Sequence, residues 1–302
     1  MYYNGLQFNK EQAKEIRTAL NQNLDIEVML NPEFNIGQMR QIRLGLESGI
    51  NVHKYANTMF NEYQMRAIRE ALNQDIDVTP YITSDTHQCI IEILYECIKN
   101  GLDVKLLNQN HYNYAQAREL KLGLLAGIDV TKYSNPEYNA GQMMAIRKGM
   151  LDGIDITKYA NPKISSAQML ETRRELLFNR YIDLNFDKDQ LKIIRAGIER
   201  DLDVNYYAKS YYDSMQMAQI FLGMMREVDI DKYCNPNYDA FQMEQIRLGL
   251  EDAVDVELYS NPNIPWEKMY QIRKANTYST LEMDASLSVS KLYKQRVMEE
   301  VF

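Results

Sequence analysis

The stretch NAGQMMAIRKGMLDGIDITKYANP, residues 139–162, is the template on which nearly all of this 302-residue chain is built. Its Gln142 defines a slot that recurs along the sequence, with Ile90 and Lys268 standing in two of the copies. Glutamine fills the slot at Gln12, Gln38, Gln64, Gln116, Gln142, Gln168, Gln190, Gln216 and Gln242. Nine of the ten intervals are 26 residues long, and the interval from Gln168 to Gln190 is 22. A fixed period of this length indicates a stacked array of repeats.

Positions counted from the glutamine slot follow the period of an α-helix. Apolar residues stand at +1, +4 and +8, for example Met39, Ile42 and Leu46, and this spacing lines one face of a helix. Most copies carry Asn, Asp or Ser three residues before the glutamine. That pair predicts a capping box, in which the two side chains satisfy amides at the start of the helix.

The second half of the template predicts how this helix ends and which element comes after it. Gly149, at +7, is one of a row of small residues, and we expect the neighbouring helix to approach closely there. Gly153, at +11, suits a left-handed helix end, and Asp155 is placed to cap a short second helix. Asn161-Pro162 then ends that second helix, because a residue before proline disfavours the helical conformation.

A two-helix unit of this kind can bury its apolar face only against its neighbours. We therefore expect an all-α fold, an α-solenoid of about eleven long-helix/short-helix repeats that forms a rod on the order of 90 Å long. The array covers residues 1–275, with irregular units near 86–112 and 172–187, and residues 276–302 are expected to be a linker and a capping helix. The four residues missing after Gln168 predict either a simple bend or a partner site.

Composition limits the classes of function. The formal net charge of −8 disfavours nucleic acid or an anionic lipid surface as a partner of the chain as a whole. No apolar run is long enough for a membrane helix and no secretory signal is visible, so we expect a cytoplasmic protein that does not bind membranes. Three cysteines argue against a disulfide framework. Motifs of catalytic, metal and cofactor sites are lacking, so we expect no enzyme, no metal and no cofactor.

A basic residue recurs at +5. The structural interpretation is that each guanidinium bridges an Asp or carbonyl groups of an adjacent unit, which suits its fork of donors. The alternative is a strip that binds an anionic small molecule, such as a nucleotide, or a nucleic acid. The candidate residues for that alternative are Lys121, Arg147, Arg173 and Arg195.

Apolar residues also appear on a second helix face, at +2, +6 and +9, in the middle of the array, and extra tyrosines lie further along. Such a strip marks a protein interface if it is exposed, whereas helices wedged between neighbours on both sides would bury it. Tyr206 and Tyr211 are additional to the template and are expected to face solvent. The candidate partner-binding residues are Leu125, Met144, Leu151, Leu170, Leu177, Tyr181, Tyr206, Tyr211 and Met225.

The motifs Asn-Pro-Glu-Tyr at 135–138 and Gln-Met-x-x-Ile-Arg-x-Gly-Leu at 242–250 carry a resemblance to a known class of sequence. The chain resembles short α-helical repeat arrays of Firmicutes, of phages and of mobile elements, over residues 9–275. The resemblance implies a bacterial or phage origin and carries no activity. The resulting hypothesis is a non-enzymatic protein-binding scaffold, such as an adaptor or inhibitor from a mobile element.

Overall fold

The computed structural model describes residues 2–109, residues 112–277 and position 298. These residues form an all-α fold of the α-solenoid class in which consecutive long helices pack against each other, as the repeat predicts. The chain divides into two compact units, Met1–Leu170 and Glu171–Phe302. The predicted linker and capping helix of residues 276–302 lie almost wholly outside the described residues.

Eleven long helices, one for each slot, and one short helix are described. Their bounds are α1 Lys10–Asn21, α2 Ile36–Glu47, α3 Glu62–Leu72, α4 Gln88–Lys99, α5 Lys105–Gln109, α6 Tyr114–Leu125, α7 Ala140–Leu151, α8 Ser166–Ile182, α9 Lys188–Glu199, α10 Ser214–Met225, α11 Ala240–Glu251 and α12 Trp266–Asn276. The expected second helix of each repeat is in most copies a single 3-10 turn. These turns are Glu27–Met29, Val52–Lys54, Thr79–Tyr81, Val130–Lys132, Ile156–Lys158, Val204–Tyr206, Ile230–Lys232 and Val256–Leu258.

The start of the chain and the shortened unit differ from the template. Two strands that the sequence did not predict, β1 Tyr2–Tyr3 and β2 Leu6–Gln7, pair antiparallel before α1. In the shortened unit, α8 runs for 17 residues because the four missing residues remove the break between the two helices of the template. Asn185 then turns the chain with a positive φ, and Asp187 caps α9.

The helices pack through the predicted apolar face. In the first unit the packed pairs of long helices are α1–α2, α2–α3, α3–α4, α4–α6 and α6–α7. In the second unit they are α9–α10, α10–α11 and α11–α12. Met143 and Ile146 of α7, like Met217 and Ile220 of α10, are fully buried. Methionine is therefore a packing residue in this fold, where its flexible chain fills the space between helices.

The slot glutamine has two tasks, of which the sequence revealed one. The Gln142 side-chain oxygen accepts from the Asn139 amide at 2.8 Å, and the backbone amide of Gln142 donates to the Asn139 side chain at 2.9 Å. This is the predicted capping box. The side-chain amide of Gln142 also donates to the carbonyls of Pro162, at 2.9 Å, and Ile164, at 2.6 Å. The glutamine thereby ties its helix to the loop that leads into the next repeat.

The same double role recurs along the chain. Both loop carbonyls, 20 and 22 residues ahead, accept from Gln12, Gln38, Gln64, Gln116, Gln142, Gln216 and Gln242. Gln190 donates to the Tyr212 carbonyl at 2.7 Å. Each of these side chains is buried, and a buried amide is stable only when its donors and acceptors have partners.

The small residue at +7 contacts a tyrosine of its own repeat, and the prediction of a neighbouring helix at this place is wrong. A Cβ on Gly249 would lie 1.8 Å from the hydroxyl of Tyr259, which is buried and donates to the Gln245 carbonyl at 3.2 Å. Glycine is required because the phenol occupies the space of its side chain. The same contact joins Gly45 to Tyr55, Gly123 to Tyr133, Gly149 to Tyr159, Gly197 to Tyr207 and Gly223 to Tyr233.

Three repeats without this glycine lack a fully buried tyrosine at +17. Ala19 is matched by Met29, and Cys97 by Leu107, at the position 10 residues later. Both Met29 and Leu107 are buried. Ala71 is matched by Tyr81, which is only partly buried. In this chain a fully buried tyrosine at +17 is therefore always accompanied by glycine at +7.

We predict that Gly249→Ala lowers the free energy of unfolding by about 1–3 kcal/mol, although alanine is the better helix former, because its methyl group overlaps the Tyr259 hydroxyl. Urea unfolding of the wild type, the variant, Tyr259→Phe and the double variant measures the coupling. The loss of unfolding free energy in the double variant should be smaller than the sum of the losses in the two single variants. Additive losses would show that the two residues do not interact.

The buried tyrosines at +17 also predict that the fold loses stability at high pH. Burial raises the pKa of Tyr259 to about 12, and it raises the pKa values of Tyr55, Tyr133, Tyr207 and Tyr233 as well. An unfolded tyrosine has a pKa of about 10. Because the folded values are higher, this stabilisation is complete below about pH 10 and is lost as the pH rises towards 12 and beyond.

We predict that helicity, followed by circular dichroism at 222 nm, is lost in this alkaline range together with a late rise in tyrosinate absorbance. If all 22 tyrosines ionised as one group near pH 10 with full helicity retained, the buried hydroxyls would not hold the repeats in the way described.

Candidate functional site

The +5 arginines form ion pairs and hydrogen bonds between neighbouring repeats. Nε of Arg147 on α7 lies 2.8 Å from a carboxylate oxygen of Glu119 on α6. Both side chains are almost completely shielded from solvent. This guanidinium is therefore paired with a carboxylate of the preceding repeat and is largely shielded from solvent.

The arginine at +5 bonds the +3 side chain of the preceding repeat, 28 residues earlier, and we call this contact a rung. Rungs join Arg43 to Glu15 at 2.6 Å, Arg69 to Gln41 at 3.1 Å, Arg147 to Glu119 at 2.8 Å, Arg247 to Gln219 at 2.9 Å and Arg273 to Gln245 at 3.2 Å. These arginines therefore bridge adjacent repeats, as in the structural interpretation. Their partners are Glu or Gln side chains, whereas Asp or carbonyl groups were expected. Arg273 also meets Asp252 at 3.1 Å.

The other candidate anion-binding residues likewise face carboxylates. Lys121 pairs with Glu96, and Arg173 pairs with Asp201 at 2.7 Å. Arg195 is exposed, lies 3.6 Å from Glu175, and has its guanidinium 4.2 Å from the centre of the Phe178 ring. These neighbours reduce the positive potential that an anion would need.

In the first unit, the partner-binding candidates separate into exposed and half-buried residues. Leu125 ends α6 and Leu151 ends α7, and they are 50% and 51% exposed. Both hold position +9, and their helices pack against each other. Met144 and Leu170 are half-buried. The two leucines therefore hold equivalent, half-exposed positions on adjacent repeats.

In the second unit, three candidates are exposed and two lie in the core. Tyr206, Tyr211 and Met225 face solvent, with Tyr211 60% exposed. Leu177 and Tyr181, expected on the partner-binding face, are only 6% and 4% exposed. The reason is the extended α8, which continues past the position where other repeats end their helix and packs both residues inside.

Two exposed apolar residues near these candidates were not predicted. Ile182, at the end of α8, and Leu184 are each about half exposed, at 49% and 53%. Counted from Gln168 they stand at +14 and +16, where the template has its 3-10 turn at Ile156–Lys158.

Sequence reasoning also missed a groove of about 530 Å³ between α3 and α4. It is lined by Ala67, Glu70, Ala71, Asn73, Gln74, Glu92, Tyr95 and Glu96. Its sequence signal is the irregular unit around Ile90, in which Tyr95 replaces the arginine at +5. The +3 residue that would meet this arginine is Ala67, so the rung is missing here and the space stays open.

The described residues contain little that would support a catalytic or metal centre. Within residues 2–109 and 112–277, no three His, Cys, Asp or Glu side chains are grouped so that they could hold a metal ion. Burial raises the pKa of the Cys97 thiol to about 11, so this thiol is protonated and unreactive near neutral pH. None of the helices in these ranges combines the length and apolar content needed to cross a membrane.

Comparison with known proteins does not supply a function. No family model, no curated protein and no solved structure matches this chain.

Proposed function

We propose that this protein is a non-enzymatic scaffold that binds a partner protein. The observation that carries the proposal is the exposure of Leu125 and Leu151 at the same position of two packed repeats. Their equivalents in other repeats include Glu47 and Asn73, so the template does not require an apolar residue there. Leucines that leave about half of their surface in water gain stabilisation when a partner covers that surface.

The rigidity of the repeats supports this role. Each leucine ends a helix whose start is fixed by a buried glutamine, Gln116 for α6 and Gln142 for α7. A partner therefore meets side chains on an ordered backbone, which lowers the entropic cost of association. Repeat arrays use extended surfaces of this kind for binding.

The second unit supplies a further set of contacts. Tyr211 is exposed, yet its ring packs edge to face on the buried Tyr212, with ring centres 4.7 Å apart. A tyrosine that is already held in place loses little freedom on binding, and tyrosine is enriched among residues that dominate binding energy. Tyr206 and Met225 are also exposed.

We further propose a cytoplasmic role, as an adaptor or inhibitor of the kind that the resemblance to mobile-element repeat arrays suggests. Cys89, Cys97 and Cys234 are free thiols, which fits a reducing compartment. Binding of a nucleotide or nucleic acid is the alternative. It has less support, because Arg147 and Arg173 already meet carboxylates at 2.8 and 2.7 Å.

We predict that Leu125→Asp/Leu151→Asp abolishes capture of a specific partner from the native host while the chain stays folded, because about half of each side chain is already exposed. Asn21→Asp is the matched control, since Asn21 is exposed at the same position of α1. Tyr206→Ala/Tyr211→Ala tests the second unit in the same way. Mass spectrometry identifies the captured proteins, and nucleotide content is measured after the eluate is denatured.

Capture should persist at high salt, because apolar burial is not screened by ions. The proposal fails if the leucine variant captures the same proteins as the wild type. It also fails if capture disappears at high salt and the denatured eluate contains nucleotide or nucleic acid in proportion to the protein, which is the result that the alternative predicts.

A further inference from the structure

The groove between α3 and α4 lies where the repeat architecture elsewhere places a guanidinium. In the preceding pair of helices, Arg69 reaches Gln41 across the interface. Between α2 and α1, Arg43 lies between two carboxylates, those of Glu15 and Glu47. The interface of α3 with α4 has Tyr95 and Ala67 at the corresponding positions. The interface therefore keeps the space of a rung without its arginine.

The walls of this groove are acidic. Glu70, Glu92 and Glu96 line it together with the amides of Asn73 and Gln74. Glu70 meets Arg69 at 3.3 Å, and Glu96 pairs with Lys121. Glu92 is exposed and makes no hydrogen bond or ion pair with any described residue. The carboxylate of Glu92 is thus open to a cation, whereas Glu70 and Glu96 each already pair with one basic side chain.

The aromatic ring in the groove favours a planar cation. Tyr95 lines the wall, with Nζ of Lys99 5.5 Å from its ring centre and 3.2 Å from its hydroxyl. Guanidinium groups stack on aromatic rings and donate in pairs to carboxylates, whereas an ammonium group is a compact, strongly hydrated charge. The amide oxygens of Asn73 and Gln74 can accept further donors.

We propose that this groove binds an arginine side chain presented by a partner polypeptide, which completes from outside the rung that the chain itself lacks. The guanidinium pairs with Glu92 and lies against Tyr95, in the space that an arginine at +5 fills in other repeats. The proposal concerns the first unit alone and a surface other than Leu125 and Leu151. It can therefore hold or fail independently of the partner-binding role of those leucines.

The test is an NMR titration of the full chain with a blocked tripeptide, Gly-Arg-Gly with both ends capped, in which amide shifts of residues 92–96 are followed. We expect saturable binding with a dissociation constant on the order of 1 mM, as suits one small side chain. The same peptide with citrulline, which has the shape of arginine without its charge, should bind far more weakly.

Two variants locate the site. Glu92→Gln should weaken binding about threefold to tenfold, because it removes the charge of the one carboxylate without a partner. Glu33→Gln is the matched control: this glutamate is also exposed in the first unit but lies outside the groove, and binding should be unchanged. Tyr95→Arg/Ala67→Glu rebuilds the rung, so it should abolish binding and raise the unfolding temperature.

Three results would overturn the proposal. The first is that the arginine peptide shifts no amide of residues 92–96. The second is that the citrulline peptide binds as tightly as the arginine peptide. The third is that Glu33→Gln weakens binding as much as Glu92→Gln, which would show a general attraction to an acidic surface. The Glu92→Gln comparison decides the question even if the rebuilt rung fails to fold.

Discussion

A buried glutamine amide that must satisfy its own hydrogen bonds is the constraint on which this fold depends. Gln142 has an acceptor oxygen and two N–H donors, and an unsatisfied buried group costs about 1–3 kcal/mol. The oxygen is used at the start of α7, at Asn139, and the donors are used at the carbonyls of Pro162 and Ile164. One side chain therefore fixes both the start of its own helix and the path of the loop that leads to the next one.

The other repeated contacts complete this arrangement. Within a repeat, the hydroxyl of Tyr133 bonds the Glu119 carbonyl and closes the 3-10 turn onto α6. Between repeats, the Glu119 side chain meets Arg147 of α7. Glu119 thus joins both contacts, one through its backbone and one through its side chain. With glutamine, tyrosine and arginine engaged internally, these contacts place no requirement on position +9, which holds Glu47, Asn73, Leu125 and Leu151 in different repeats.

Much of this fold could be predicted from the sequence because it depends on local rules. The Asn139–Gln142 capping box, the buried Met143–Ile146 stripe and the positive φ of Gly153 each depend on residues a few positions apart. The donors of Gln142 were missed because their acceptors are backbone carbonyls, which leave no signature in side-chain types. The partner of Gly149 was misassigned for a related reason. A recurring glycine shows that something approaches, and only the fold shows that this is Tyr159.

The candidate surfaces were predicted less completely than the fold. Leu125 and Leu177 hold the same position in their repeats, yet one is half exposed and the other is buried. The difference comes from the greater length of α8, in the repeat that is four residues shorter than the others. The periodicity of the sequence does not predict that this shortening lengthens the helix and buries Leu177. The groove beside Tyr95 exists because Tyr95 and Ala67 cannot form the rung that an arginine at +5 makes with the +3 side chain in other repeats.

Replacing Gln142 by Glu tests the central role of the glutamine most directly. A carboxylate can still accept from the Asn139 amide, but it cannot donate to Pro162 and Ile164. Urea unfolding at pH 7 should show that the free energy of unfolding falls by about 2–4 kcal/mol, because two donors are lost and a negative charge faces two carbonyl oxygens. An isolated capping box accepts glutamate readily. Stability equal to or above that of the wild type would therefore contradict the account.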